Sequence, residues 1–472
     1  MDWLLFTPEL TLLAAVAVFL ALSCLKPEPA HDYGLASAFA ALTVIASIAC
    51  AAISGDLFGG VYRVDLFSQT FKVMLAIGFF LVVVLSDDFG GVGSSHHSEG
   101  YFLLSLCTLS MMMLASAVHL LAIVLALELS SYSLYLLVFL REDRRWGMVA
   151  GLRYFLVGAS ASAIMLFGLA LVYGATGAMH VDQLTEMLPA ALDQPMVAGG
   201  LLLTLAGFFF KLAIFPFHFW APDAYEGAPN PVAAFIAAVS KVAAVAILLR
   251  LIFMSQGGGS GMLARGLMIM AVASMTLGNL AAIAQKDFKR LMAFSSVAHA
   301  GYLMLAMLCM TPAGYAAAMF YAAGLLVMKF TCFMVMIRVA DDGRNLQIGE
   351  LAGLHRRAPL LALALMLALF GLGGIPPTIG FSGKLFIFVA AMQKGYLVLV
   401  IIAMVNVVIS LYYYLLVLKA AYLDEPQEPV PAIVLTWPGR LVATAMIVLI
   451  IGVGFYPAPL LDWVQAAVLR LS

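Results

Sequence analysis

Apolar runs of roughly twenty residues follow one another along almost the whole chain, near 9–25, 34–53, 66–85, 101–118, 120–140, 148–174, 197–219, 230–254, 262–284, 290–310, 313–338, 358–391, 396–422 and 433–456. Each is long enough to cross a bilayer as a helix, so the pattern predicts an all-α polytopic membrane bundle of about fourteen spans. Two runs are punctuated. Pro216, Pro222, Pro229 and Pro231 with Gly227 stand between Lys211 and Lys241, and Gly373-Gly374-Ile375-Pro376-Pro377 with Gly380 cuts the twelfth run just before Lys384. Such residues interrupt the helical ladder, which is tolerable at this depth only where the segment is buried in protein or lines a wet cavity. Broken spans seven and twelve, in comparable positions of two halves, predict two inverted repeats with an ion site at the breaks. As one integral membrane domain, the chain divides into spans one to three (1–100), a first repeat (101–255), a second (260–422), and span fourteen with its tail (433–472). The halves share no strong identity, so the repeat rests on hydropathy and punctuation.

The short links orient the bundle. Arg141, Arg144, Arg145 and Arg153 follow span five, Lys286, Lys289 and Arg290 follow span nine, and Arg344, Arg356 and Arg357 follow span eleven, whereas Asp182, Glu186 and Asp193 follow span six. The positive-inside rule places the three basic links in the cytoplasm and both termini outside it. Asp87, Asp88 and Glu99 dissent, but acidic residues weigh little in that rule. The opening Met1-Asp2-Trp3 has no basic region, so the first run reads as a retained span rather than a cleaved signal.

Composition adds exclusions: of 472 residues 64% are hydrophobic and 10% charged, and the net charge of −1 leaves no electrostatic footprint for nucleic acid. Cys24, Cys50, Cys107, Cys309 and Cys332 form no CxxC pair and read as small core hydrophobes. Met111-Met112-Met113 reads as packing.

Candidate chemistry lies in charges placed where water is absent. Glu128 is mid-depth in the fifth span, Lys211 on the seventh, Lys241 on the eighth, Lys329 on the eleventh and Lys384 on the twelfth. A charge at the bilayer centre costs roughly 2.5 to 3.5 kcal/mol even on lenient scales, so each needs a partner or a function. Lys329, near the end of its span, reads equally as a snorkelling side chain. A carboxylate facing a lysine, as in a Glu128–Lys211 pair, shifts proton affinity in ways that depend on their separation, which is the physics of a proton pump. His299 extends the series, with Ser295 four residues earlier on the same helical face, as a hydroxyl–imidazole relay. His218 in the broken segment suits either a capping or a proton-path role. His96 and His97 read as solvated. Glu128, Lys211, Lys241, His299 and Lys384 are expected to face the bundle interior and form one polar line.

The runs PFHFWAPDAYEGAPNPVAAFIAAVSKVAA, QKDFKRLMAFSSVAHAGYLM and GGIPPTIGFSGK resemble the N subunits of bacterial respiratory complex I, antiporter-like subunits that correspond to mitochondrial ND subunit two. The resemblance spans nearly the whole chain. It puts the family's fifth-helix acid on Glu128 and its seventh-, eighth- and twelfth-helix lysines on Lys211, Lys241 and Lys384. VMKFTCF departs from the usual Asn-Leu-Gly-Ala-Phe type of run, so Lys329→Ala is expected to be the mildest substitution on the path. The resemblance implies a proton-translocating, non-redox subunit of an NADH-quinone oxidoreductase in the bacterial inner membrane. It also implies lipid and other membrane-arm subunits as partners, above all neighbouring antiporter-like and small membrane subunits. NADH, FMN, iron–sulfur clusters and quinone are expected in those partners, with no cofactor and no metal in this chain. A cation/proton antiporter subunit and a purely scaffolding subunit are the alternatives from other classes.

Overall fold

The computed structural model describes residues 3–25, 29–85, 89–255, 261–426 and 431–471. Met1 and Asp2 ahead of the first run, and Asp87 and Asp88 of the acidic link, lie outside the described residues. The chain opens with α1 (Thr7–Ser23), α2 (Pro29–Ala49), an antiparallel hairpin of β1 (Gly55–Leu57) and β2 (Tyr62–Val64), and α3 (Leu66–Leu85). Next come α4 (His97–Ser116), α5 (Leu120–Phe139), α6 (Arg144–Thr176) and the amphipathic α7 (Val181–Ala191). The seventh span is pieced from α8 (Pro195–Thr204), α9 (Ala206–Leu212) and, beyond an irregular stretch, α10 (Trp220–Gly227). The eighth joins α11 (Asn230–Ala234) to α12 (Ser240–Phe253) through a π-helical turn, Phe235–Val239. Then follow α13 (Gly261–Ile283), α14 (Phe288–Leu308), α15 (Pro312–Val339), α16 (Leu354–Arg357), the broken pair α17 (Pro359–Gly373) and α18 (Ile379–Gln393), α19 (Leu397–Tyr422), α20 (Trp437–Phe455) and α21 (Ala458–Val468).

Thirteen described helices are long and apolar enough to cross a membrane, and α17 with α18 makes the fourteenth crossing. The fold is the expected all-α membrane bundle. Its centre is the eighth span, Asn230–Phe253, buried along all but its last residue and flanked by the largely buried α14 and α15. The outer helices keep exposed leucines and isoleucines on one side, as a lipid-facing ring should.

The basic links converge at one end. Arg141 Nη1 donates to the Glu226 carbonyl at 2.5 Å and to Asn345 Oδ1 at 3.1 Å, while Lys289 Nζ donates to the Ala228 carbonyl at 2.8 Å and to the same Asn345 oxygen at 2.9 Å. Arg290 bridges Asp223 and Glu226 at 3.1 and 2.7 Å, and Arg153 reaches Asp223 at 2.6 Å. The acids of the PDAYEGAP stretch are therefore tied up by Arg153 of α6 and Arg290 of α14. Both termini sit at the opposite end: Leu5 and Phe6 pack on Leu57, Tyr62 and Val64, and Arg470 lines one cleft with Asp56, Arg63 and Asp182.

Both predicted breaks are present. The α9 ladder stops because Ala213 takes a left-handed φ of 61°, a conformation that costs a non-glycine residue roughly 1 to 2 kcal/mol and is retained where surrounding structure imposes it. The α17 ladder stops at Gly374, φ 83°. There α18 approaches so closely that a Cβ on Gly380 would meet the Gly371 carbonyl oxygen, which only glycine avoids. α9 runs toward the middle from the end that holds the termini and α17 from the arginine-rich end, so the two broken spans have opposite directions, as inverted repeats require.

Two smaller expectations need correction. Cys24 is exposed whereas the other four cysteines are buried, all five being unpaired. His97 is buried at the start of α4, its Nε2 3.3 Å from the Val92 carbonyl; only His96 keeps substantial solvent contact, paired with Glu99 at 2.7 Å. Met111 and Met112 are fully buried packing residues.

Candidate functional site

A helix that ends inside the bundle leaves carbonyls without intrahelical donors, and the negative pole of its dipole attracts a cation. Both breaks recruit a lysine. Lys241, on α12 just past the π turn, donates from Nζ to the Leu212 carbonyl at 2.8 Å. Lys384, on α18, donates to the Leu372 carbonyl at 2.7 Å, with its ammonium 5.0 Å from the centre of the Tyr302 ring. The Trp220 indole N–H satisfies the Phe210 carbonyl at 2.9 Å. His218 is buried with Nδ1 unpartnered, and its backbone hydrogen-bond contact is Pro216, within the broken segment.

Around Lys241 lies a small cavity of ≈ 20 Å³ whose walls include Leu212, Ser296, His299 and Lys329. That is about the volume of a single water, in a cavity whose accessible lining is almost wholly apolar. Lys329 does not snorkel: it is buried, and Nζ donates to the Met292 carbonyl at 3.0 Å and to Ser295 Oγ at 2.7 Å.

From Ser295 the contacts continue to Tyr414 Oη at 2.6 Å, from Tyr414 Oη to His299 Nε2 at 3.1 Å, and from His299 Nδ1 to Tyr321 Oη at 2.7 Å. One set of donors satisfies every link: the ammonium donates to Ser295, the serine to Tyr414, the tyrosine to Nε2, and Nδ1–H to Tyr321. All of these groups are buried. Chains of this kind polarise cooperatively and carry a proton by successive hops without any heavy atom moving far. Ser295 and His299 are therefore connected by hydrogen bonds, but through Tyr414 rather than directly.

The acid end differs from expectation. Lys211 is buried and donates to Ser130 Oγ at 2.5 Å and Ser131 Oγ at 3.3 Å, while Glu128 accepts from Ser162 Oγ at 2.5 Å. Glu128 and Lys211 form no ion pair with each other. Glu128 is only half-buried, between the exposed Leu125 and Leu129 on α5, so it stands at the rim of the bundle instead of in its interior. The serine pair Ser130 and Ser131 occupies the place the carboxylate was expected to hold, because residues two and three positions beyond Glu128 turn to the α9 side of the helix.

Sequence reasoning passed over two buried ion pairs near the end that holds the termini. Glu9 Oε1 is 2.8 Å from Lys72 Nζ, both fully buried, and the carboxylate also accepts from the Tyr62 hydroxyl at 2.5 Å. Asp65 and Arg250 pair at 3.2 Å. Lys72 carried the signal that marked Lys241, a cation inside an apolar run, whereas Glu9 sits at the edge of its run. Tyr414 carried none, since a tyrosine among apolar residues reads as packing.

Known proteins match this architecture. Residues 117–410 match the family described as NADH:quinone oxidoreductase/Mrp antiporter, TM. The chain is 53% identical over 468 residues to NADH-quinone oxidoreductase subunit N 2 of Syntrophobacter fumaroxidans, covering 99% of each chain. It superposes with a TM-score of 0.84 and 34% identity on a chain of respiratory complex I from Thermus thermophilus, covering 96% of this chain and 98% of that one. A chain of the Mrp complex from Dietzia sp. shares the fold with a TM-score of 0.87 at 21% identity. The chain belongs to the NADH:quinone oxidoreductase/Mrp antiporter membrane family, and within it to the subunit N group of multi-pass bacterial membrane proteins.

Proposed function

We propose that this chain is a proton-translocating subunit in the membrane arm of a complex I type quinone oxidoreductase, performing no redox step itself. The observation that carries this reading is the paired geometry at the breaks, where Lys241 and Lys384 each hold the terminal carbonyl of a half-helix. An ammonium stabilises the negative pole of a half-helix more than a neutral amine does, so closing or opening a break biases the lysine's protonation, and protonation biases the break. Between the two lysines, the water-sized cavity and the relay Lys329–Ser295–Tyr414–His299–Tyr321 supply the carriers.

NADH, flavin, iron–sulfur clusters and quinone are assigned to partner subunits. A proton moved against the membrane potential costs about 2.3 kcal/mol per 100 mV, which their redox reaction must supply. The partners in contact are neighbouring antiporter-like and small membrane subunits. A half-buried carboxylate between exposed leucines is poorly suited to lipid, so Glu128 marks a face for such a neighbour.

The test is proton uptake with quinone reduction in vesicles carrying assembled complex. Lys384→Ala depresses both if this reading holds. Normal pumping by the assembled variant contradicts it, and ion transport by the isolated chain without redox partners would favour an antiporter.

A further inference from the structure

Away from the proton path, at the end that holds the termini, His119 and His180 face each other as N-caps of α5 and α7. They are an isolated antiparallel bridge. The hydrogen bonds that close it flank the pair, Leu120 N–H to the Met179 carbonyl and Val181 N–H to the Val118 carbonyl, each 2.9 Å. Histidines 119 and 180 are therefore the non-hydrogen-bonded pair, the position in an antiparallel ladder where opposed Cα atoms come nearest, about 4.5 Å, and side chains leave in parallel.

The rings lie 5.5 Å apart between centroids, at 81° to one another, and both residues are partly open to solvent. For zinc–nitrogen bonds of about 2.1 Å, with each centroid about 1.1 Å behind its nitrogen, a near-tetrahedral angle at the metal separates two centroids by about 5.2 Å. The observed centroid spacing, which without an ion is that of an edge-to-face ring contact, comes within a few tenths of an ångström of that figure. Imidazole ligates a metal ion in its neutral form. Asp182 is not an available third ligand, since both its oxygens are taken by Arg63 at 3.0 and 2.6 Å.

We infer that His119 and His180 form a two-imidazole site for a divalent transition-metal ion of the zinc or copper class, water completing its shell. Bound there, the ion ties the start of α5, the helix of Glu128, to α7, the helix that leads into the broken seventh span. The positive poles of two helix N-termini oppose any cation, so only ions that gain strongly from imidazole nitrogen bind; magnesium and calcium do not.

The experiment is amide hydrogen exchange on the assembled complex with and without zinc chloride, reading Leu120 and Val181, whose N–H groups close the bridge. Zinc at 100 times its dissociation constant slows exchange by local opening about 100-fold, if the open bridge does not bind it. Magnesium leaves the rate unchanged. His119→Gln and His180→Gln each abolish the zinc effect, and their metal-free rates show whether the bridge itself survives. In the unmodified protein the slowing also disappears near pH 5, where imidazole protonates. Absence of slowing at pH 8, or slowing that persists in a His119→Gln/His180→Gln double variant, overturns the site.

Discussion

Lys241 Nζ reaches from the eighth span to the Leu212 carbonyl at 2.8 Å, and with that one bond it closes the broken end of the seventh span. Lys384 does the same for the twelfth at Leu372, from within its own broken span. The two halves thus solve one problem, an orphaned carbonyl at mid-bundle, with a lysine drawn from different elements.

The relay beyond Lys241 gives the first prediction. Tyr414→Phe keeps the ring and its packing but removes the hydroxyl that joins Ser295 to His299. Steady-state quinone reduction coupled to pumping should fall several-fold while assembly stays normal. Lys329→Ala should fall at least as far, since Lys329 heads the same chain of bonds; the expectation from family resemblance alone was the mildest effect of all. Tyr414→Phe turning over at the unmodified rate would remove the relay from the path.

The buried placement of Lys329 shows what a sequence conveys and where it stops. Span count, both breaks and the buried lysines were legible, because a cation or a proline inside an apolar run is costly wherever the run lies. Distance was not. Whether Glu128 meets Lys211 depends on which face of α5 packs against α9, and helical rotation has no signature in a span that is apolar all round. Tyr414 escaped notice for a related reason: its hydroxyl becomes chemistry only once α14 and α19 place Ser295 and His299 beside it.

Glu128 supplies a second prediction. Glu128→Gln preserves an acceptor for Ser162 but removes the charge at the bundle rim, so pumping and turnover should drop together in assembled complex. Glu128→Asp should retain part of both, its charge surviving at shorter reach. Equal activity of the Gln variant and the unmodified complex argues that Ser162, not the charge, is what the site needs.

The Glu9–Lys72 pair makes a prediction about stability. Lys72→Met leaves a buried carboxylate with only the Tyr62 hydroxyl and should cost about 3 to 5 kcal/mol. Glu9→Gln/Lys72→Met removes both charges and should recover most of that loss. Denaturation of the detergent-solubilised complex by increasing detergent harshness reads the order: single variant first, double variant close to unmodified protein. A double variant as fragile as the single one contradicts a charge-based account.

Orientation is the fourth. The convergence of Arg141, Lys289 and Arg290 at one end predicts that a cysteine replacing Asp143 reacts with a membrane-impermeant maleimide only when the cytoplasmic face is accessible. Labelling from the outside of intact cells reverses the assignment of both termini.

The central claim is that the lysines at the helix breaks carry the translocated proton, and Lys241→Ala in assembled complex tests it most directly. Removing the ammonium leaves the Leu212 carbonyl without its donor, a defect of about 1 to 3 kcal/mol, so subunit content is measured alongside activity. The account predicts complex at normal abundance in which proton uptake by vesicles and quinone reduction fall together by about tenfold or more. Full uptake at normal turnover would contradict it and leave the chain a scaffold.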